Sequence, residues 1–249
     1  MTSEEDNITG GNLRLDIDSL VDSPQQYIKS LDESGQLSKY FPAVVLTRGV
    51  RQSEIKHNEG DAFTHTLMTL AKIIEETPSD LEFGKIEEKK SIFWIAMALL
   101  YHDTGKKERN NGGREERIDH VAESVKHANE ELVRFLPPEE VAIVSEMIAK
   151  HEVMLSSDIS WRIHKLSKLM SLANSVKNGR LLLKFIECDG LGRKVMNGHE
   201  DLVEKNNRML HRNIEIYKIL LELSPEGQPF PVQKINKEVS QSIKKLITV

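Results

Sequence analysis

Thiols are nearly absent from this chain: Cys188 is the single cysteine in 249 residues. No intrachain disulfide framework is possible, and zinc sites built on several thiolates are excluded. Long apolar runs are missing too. The longest, Ile92 to Tyr101, falls well short of the roughly 20 residues needed to cross a bilayer. The opening residues, MTSEEDNITGG, are acidic and polar, unlike a secretory leader, so a cytoplasmic protein without a membrane partner is expected. An excess of positive charge is also lacking. The formal net charge is -5, which argues against a globally basic nucleic-acid binder and leaves room only for a local basic face. Finally, no stretch alternates polar and apolar residues for long, and several segments carry apolar residues at helical spacing. The expected fold class is all-α.

Residues 1–14 read as a disordered tail, 15–223 as one domain, and 224–249 as a linker (SPEGQPFP) followed by a short amphipathic helix. Within the domain, Ser23-Pro24 opens a helix to about residue 34, since proline suits the first helical turn. The stretch 37–60 reads as irregular. Asp61 is placed to cap a helix running to about residue 76, before Pro78. The segment 86–103 is apolar nearly all round and belongs at the centre of the core. A charged loop with an adjacent glycine pair, 105–117, follows. Further helices are expected at about 118–135, 138–151, 159–174, 179–189 and 199–223.

What the chain does have is a series of histidines and aspartates near the ends of apolar segments: His65, His102-Asp103, His120, His151 and Asp189. Four imidazoles and two carboxylates make a nitrogen/oxygen donor set for one or two divalent ions. Asp103 ends an almost wholly apolar helix, where burial and the helix dipole both disfavour a negative charge. Asp189 repeats the pattern after LLLKFIEC, and Gly105 and Gly190 supply plausible helix stops. A shared cation would offset these penalties. The bland alternative is that each aspartate pairs with a nearby cation such as Lys106 or Arg193. His151 lies on the inward face of its helix, where a lone histidine is more often a satisfied core residue. His65 lies off the main apolar stripe of its own helix. His120 is weak evidence alone, and His127 competes with it.

Four further strings carry more weight: His57-Asn58-Glu59-Gly60-Asp61 ahead of His65-Thr66-Leu67-Met68, then His102-Asp103-Thr104-Gly105-Lys106, and Cys188-Asp189-Gly190-Leu191-Gly192-Arg193 late in the chain. Over about residues 35–195 the chain resembles the HD superfamily of metal-dependent phosphohydrolases, and within it the HD domain of bacterial CCA-adding tRNA nucleotidyltransferases. The resemblance implies a helical bundle whose central buried helix carries the His-Asp pair. It implies metal ligation by His65, His102, Asp103 and Asp189, with His120 and His151 completing a two-metal site. Ser124, a small residue four positions on, favours His120 over His127. The chain departs from those nucleotidyltransferases in lacking a phosphate loop followed by paired carboxylates, so CCA addition is not expected of it. It also lacks the HD-x-x-ED and Gly-Tyr-Pro signatures of two other branches.

The implied activity is hydrolysis of a nucleotide or RNA-end phosphate ester, of the 2′,3′-cyclic phosphodiesterase or phosphatase type, with Mn, Ni, Fe, Co or Mg as the ion. Asp103 would anchor or bridge the ions, and Lys106 would offset developing charge. Arg193 and His57 would touch substrate, while Glu59 and Asp61 would line the pocket, orient His65 or, for Asp61, simply cap the helix. Six basic residues between Arg162 and Lys184, uninterrupted by acids, form a candidate backbone-binding face, with a solvated helix face as the simpler reading. Trp161 is a candidate for base stacking or core packing. Two other functions use the same donors: a diiron oxygenase, and a nonenzymatic nucleotide- or RNA-binding module stabilised by metal. The oligomeric state is left open.

Overall fold

A computed structural model describes residues 14–52, 55, 57–106, 120–151 and 176–223. Most of the charged 105–117 loop, the expected helix 159–174 with Trp161, and the linker and terminal helix after residue 223 lie outside the described residues. So does the tail before residue 14.

Among the described residues the protein is all-α, with eleven helices and a single isolated bridge between Arg51 and Asp61. In chain order these are α1 (Ile17–Asp22), α2 (Pro24–Glu33), α3 (Leu37–Tyr40), α4 (Pro42–Val45), α5 (Ala62–Ala71), α6 (Pro78–Phe83), α7 (Lys89–Tyr101), α8 (His120–Leu132), α9 (Pro138–Lys150), α10 (Val176–Leu191) and α11 (Glu200–Leu223). No described helix is long and apolar enough to cross a membrane.

Local chemistry accounts for the starts. Asp61 caps α5, one carboxylate oxygen accepting from the Thr64 N–H (2.8 Å) and the other from Gly49 N–H (2.7 Å). Asp16 does the same for α1 through Ser19 N–H. Proline leads α2, α4, α6 and α9, where its missing N–H costs nothing. Thr77 and Asp80 form a reciprocal capping box on α6.

Helix α7 is the axis of the bundle. It packs against α1, α4, α5, α8, α9 and α10. From Ile95 to Tyr101 every side chain is buried, which is why a helix without a polar face is stable here. Tyr101, wholly buried, donates to Glu131 on α8 (2.6 Å), whose other oxygen accepts the Ala43 N–H of α4 (2.9 Å). A second buried helix, α10, lies against α5, α7 and α11. Leu181, Leu182, Leu183, Phe185, Ile186 and Cys188 are buried on it.

Several local expectations are corrected. The stretch 37–60 contains α3 and α4, and the helix after Asp61 stops at Ala71. The short helices α1 and α6 were not anticipated. Helix α10 continues through Gly190 to Leu191, so Gly190 is no stop. Gly105 serves packing instead: a Cβ there would lie 2.1 Å from the His120 carbonyl oxygen and 2.8 Å from Ser124 N. Its own N–H donates to Ser124 Oγ (2.9 Å), which ties the end of α7 to the start of α8. Two of the six basic residues from Arg162 to Lys184 are committed within the fold. Lys184 is buried and pairs with Asp80, and Arg180 donates to the Gly84 carbonyl. The side chains of Arg162, Lys165, Lys168 and Lys177 lie outside the described residues.

Because the two nearest neighbours of a Gly105 Cβ are backbone atoms, they cannot rotate away. Gly105→Ala should destabilise the protein by about 1–3 kcal/mol, the usual range for overpacking. Urea denaturation checks this, and an unchanged midpoint would contradict the close approach of α7 and α8.

Candidate metal centre

The six residues singled out by sequence converge at the end of α7. His102 is its C-terminal cap and Asp103 follows. His65 comes from the second turn of α5, His151 from the C-cap of α9, His120 from the first residue of α8, and Asp189 from the last turn of α10. His65, His102, Asp103, His151 and Asp189 are all buried, and His120 is half-buried. Neighbouring rings follow one another at centroid separations of 5.5 Å (His65–His102), 5.6 Å (His102–His151) and 5.6 Å (His120–His151).

The ligating atoms fall into two trios, His65–His102–Asp189 and Asp103–His120–His151, each with its donor atoms within 4.8 Å of one another. His127 does not join either trio; its Nδ1 lies 3.2 Å from Thr104 Oγ1 and its Nε2 3.4 Å from Glu123.

The tautomers are set by the backbone. His102 Nδ1 is 2.7 Å from the Leu99 carbonyl, and His151 Nδ1 is 2.8 Å from the Ile148 carbonyl. A carbonyl only accepts, so each Nδ1 carries the proton and the neutral ring keeps its lone pair on Nε2. For His102 that nitrogen is buried without a hydrogen bond, yet it faces Asp103 Oδ2 at 3.3 Å and Asp189 Oδ1 at 3.7 Å. When that ring is neutral its lone pair faces two carboxylates, an arrangement that a cation among them satisfies. The residues therefore fit a divalent ion: nitrogen and carboxylate donors, correct tautomers, and an orphaned buried lone pair.

Electrostatics agree. Burial opposes ionisation of Asp103, but His102 and Lys106 hold it well below the usual carboxylate range. Burial likewise opposes ionisation of Asp189, and Arg193, His65 and His102 hold it well down. Burial and the neighbouring His102 push His151 below the ordinary histidine range, which keeps it neutral, the form that ligates. Burial alone would lower His65; its contacts with Asp189 and Glu59 outweigh this and raise it to about 9. In the metal-free protein an imidazolium at His65 therefore sits between these carboxylates.

The bland alternative for the aspartates is realised alongside this arrangement. Lys106 Nζ pairs with Asp103 Oδ2 and Arg193 with Asp189 Oδ2, each at 2.6 Å. Around His65, Glu59 Oε1 lies 2.9 Å from Nδ1 of both His57 and His65, and Glu59 Oε2 accepts the Lys194 N–H (2.9 Å). With His65 Nε2 3.0 Å from Asp189, close carboxylate–histidine ion pairs run from the 57–60 loop into the centre, the His65–Glu59 approach being an ion pair without an aligned hydrogen bond. Gly192 admits that arrangement, since a Cβ there would sit 2.9 Å from the Thr69 backbone of α5. Sequence reasoning missed Gln52, whose Oε1 accepts from Lys106 Nζ at 2.6 Å. It precedes the His57 string by five residues, and nothing in the local pattern marks it.

Comparison with known proteins gives one partial likeness of note. The "Multifunctional CCA protein" of Halorhodospira halophila (strain DSM 244 / SL1) is 36% identical over 84 residues, 34% of this chain. The chain spans 17% of that protein's length. No family model matches the chain, and no solved structure matches it.

Glu59→Gln should leave the fold intact and weaken divalent-metal binding by roughly 10- to 100-fold, the range for changes behind a metal-ligating histidine. Calorimetric titration of Mn²⁺ or Ni²⁺ checks this, and equal affinity in the variant would contradict a role for Glu59 behind His65.

Proposed function

We propose that this protein is a metal-dependent phosphohydrolase acting on phosphate esters of nucleotides or RNA ends, of the 2′,3′-cyclic phosphodiesterase or phosphatase type. The observation that carries the reading is the pair of donor trios at the end of α7, with His102 Nε2 buried, without a hydrogen bond, and facing two carboxylates. The partial likeness to a CCA protein supports a nucleotide or RNA substrate.

His65, His102 and Asp189 would hold one divalent ion and Asp103, His120 and His151 a second, with Asp103 standing between the trios. Such ions, when bound, supply an ionised water near neutral pH and polarise phosphoryl oxygens. Mn, Ni, Fe, Co and Mg are all compatible in kind, the histidine-rich donor set favouring the transition metals over Mg.

The chain's own residues do the rest. The Leu99 and Ile148 carbonyls fix the tautomers of His102 and His151. Arg193 balances Asp189 and holds its carboxylate in place. Lys106, at the rim beside Asp103, offsets negative charge that develops on a phosphoryl group. His57, held by Glu59 and only slightly exposed, and Arg193 border the substrate.

The test is hydrolysis of 2′,3′-cyclic AMP, a generic phosphodiester and a generic monoester by metal-stripped protein, with each ion added back. Turnover should depend on metal and fall at least about 100-fold in Asp103→Ala, beyond the range of outer-shell changes. Absence of turnover with every ion, in protein that still binds metal, would refute the reading. Iron retention with oxygen consumption would favour a diiron oxygenase on the same ligands instead.

A further inference from the structure

Lys106 Nζ lies 2.6 Å from both Asp103 Oδ2 and Gln52 Oε1. An ammonium group only donates, so the atom of the Gln52 amide that faces it must be the oxygen. The amide NH₂ is thereby turned away, and Gln52 Nε2 is buried with no hydrogen-bond partner. Arg193 Nε, beside Asp189, is buried and unpartnered in the same way. A buried donor left unpaired costs free energy, so a fold that retains two of them around one centre calls for acceptors from outside. Two buried donors around the centre thus lack a protein partner, the Gln52 NH₂ and Arg193 Nε, while the His102 Nε2 lone pair is left to the cation. The two donors complement an oxyanion.

We infer that Gln52 is a substrate-binding residue whose amide NH₂ takes a nonbridging phosphoryl oxygen on the Asp103 side of the centre, while its carbonyl steadies Lys106. The inference rests on the phosphate-ester reading above. It assigns the Asp103 side, on the NH₂ face of Gln52, to the phosphoryl group, and it leaves the ester's organic part to other walls of the site.

Two variants separate the NH₂ from the carbonyl. Gln52→Met removes both without adding charge, and Gln52→Glu keeps an acceptor for Lys106 but has no NH₂. Inorganic phosphate is titrated calorimetrically into the metal-loaded protein, and the metal into the metal-free protein. Both variants should bind phosphate roughly 10-fold or more weakly, as expected for loss of a hydrogen bond to a charged group. Metal affinity and the denaturation midpoint should stay near those of the wild type. Wild-type phosphate affinity in both variants, or in Gln52→Glu alone, would overturn the inference, the latter showing that Gln52 only holds Lys106. Parallel loss of metal affinity would overturn it too, by showing that Gln52 acts through Asp103. If the wild type itself binds no phosphate with any ion, the phosphate-ester reading falls and this assignment with it.

Discussion

Everything at the centre depends on two hydrogen bonds that link a ring nitrogen to a helix carbonyl one turn back. Leu99 O holds His102 Nδ1 and Ile148 O holds His151 Nδ1. Both histidines sit just past a helix, where the last carbonyls lack an intrahelical partner. The rings bond to carbonyls of that last turn, Ile148 O accepting the His151 backbone N–H as well, and present their Nε2 atoms inward. One interaction thus completes the end of a buried helix and also prepares a ligand. Without it, either tautomer would be available, and the crowding of His102 Nε2 against two carboxylates would relax by ring rotation.

The surrounding fold makes that geometry rigid. Two helices buried over most of their surface, α7 and α10, deliver His102-Asp103 and Asp189. Their polar outliers are tied to neighbours: Tyr101 to Glu131, Lys184 to Asp80, and Glu187 to Thr77 and Ser79 at the start of α6. Glu187 is fully buried, and burial raises its carboxyl above the usual range despite those hydrogen bonds. Such networks place α10 so that Asp189 reaches both His65 and Arg193. Gly105 and Gly192 supply the close approaches, one to α8 and one to α5.

The all-α class and the central position of α7 were legible because an apolar run without a polar face has few other places to go. The convergence of His65, His102, Asp103, His120, His151 and Asp189 was legible from their recurrence near helix ends and from the strings around them. Shorter features were not. Helices α3, α4 and α6 are four to six residues long, too short to show a period. Lys184 reads as part of a basic run, but its direction depends on Asp80, more than 100 residues away in sequence. Gln52 is equally silent, since its role rests on contact with Lys106 across 54 residues.

The central claim is that these side chains form a built cation site in the folded protein. Its most direct test is the thermal midpoint of metal-free protein as Mn²⁺, Ni²⁺, Fe²⁺, Co²⁺ or Mg²⁺ is titrated in, beside His102→Ala. A ligand that binds only the folded state stabilises it by about 2.7 kcal/mol at 100 times its Kd. The account predicts a saturable rise in midpoint with at least one of these ions for the wild type and a much smaller rise in the variant. No rise with any ion, or an equal rise in His102→Ala, would contradict it.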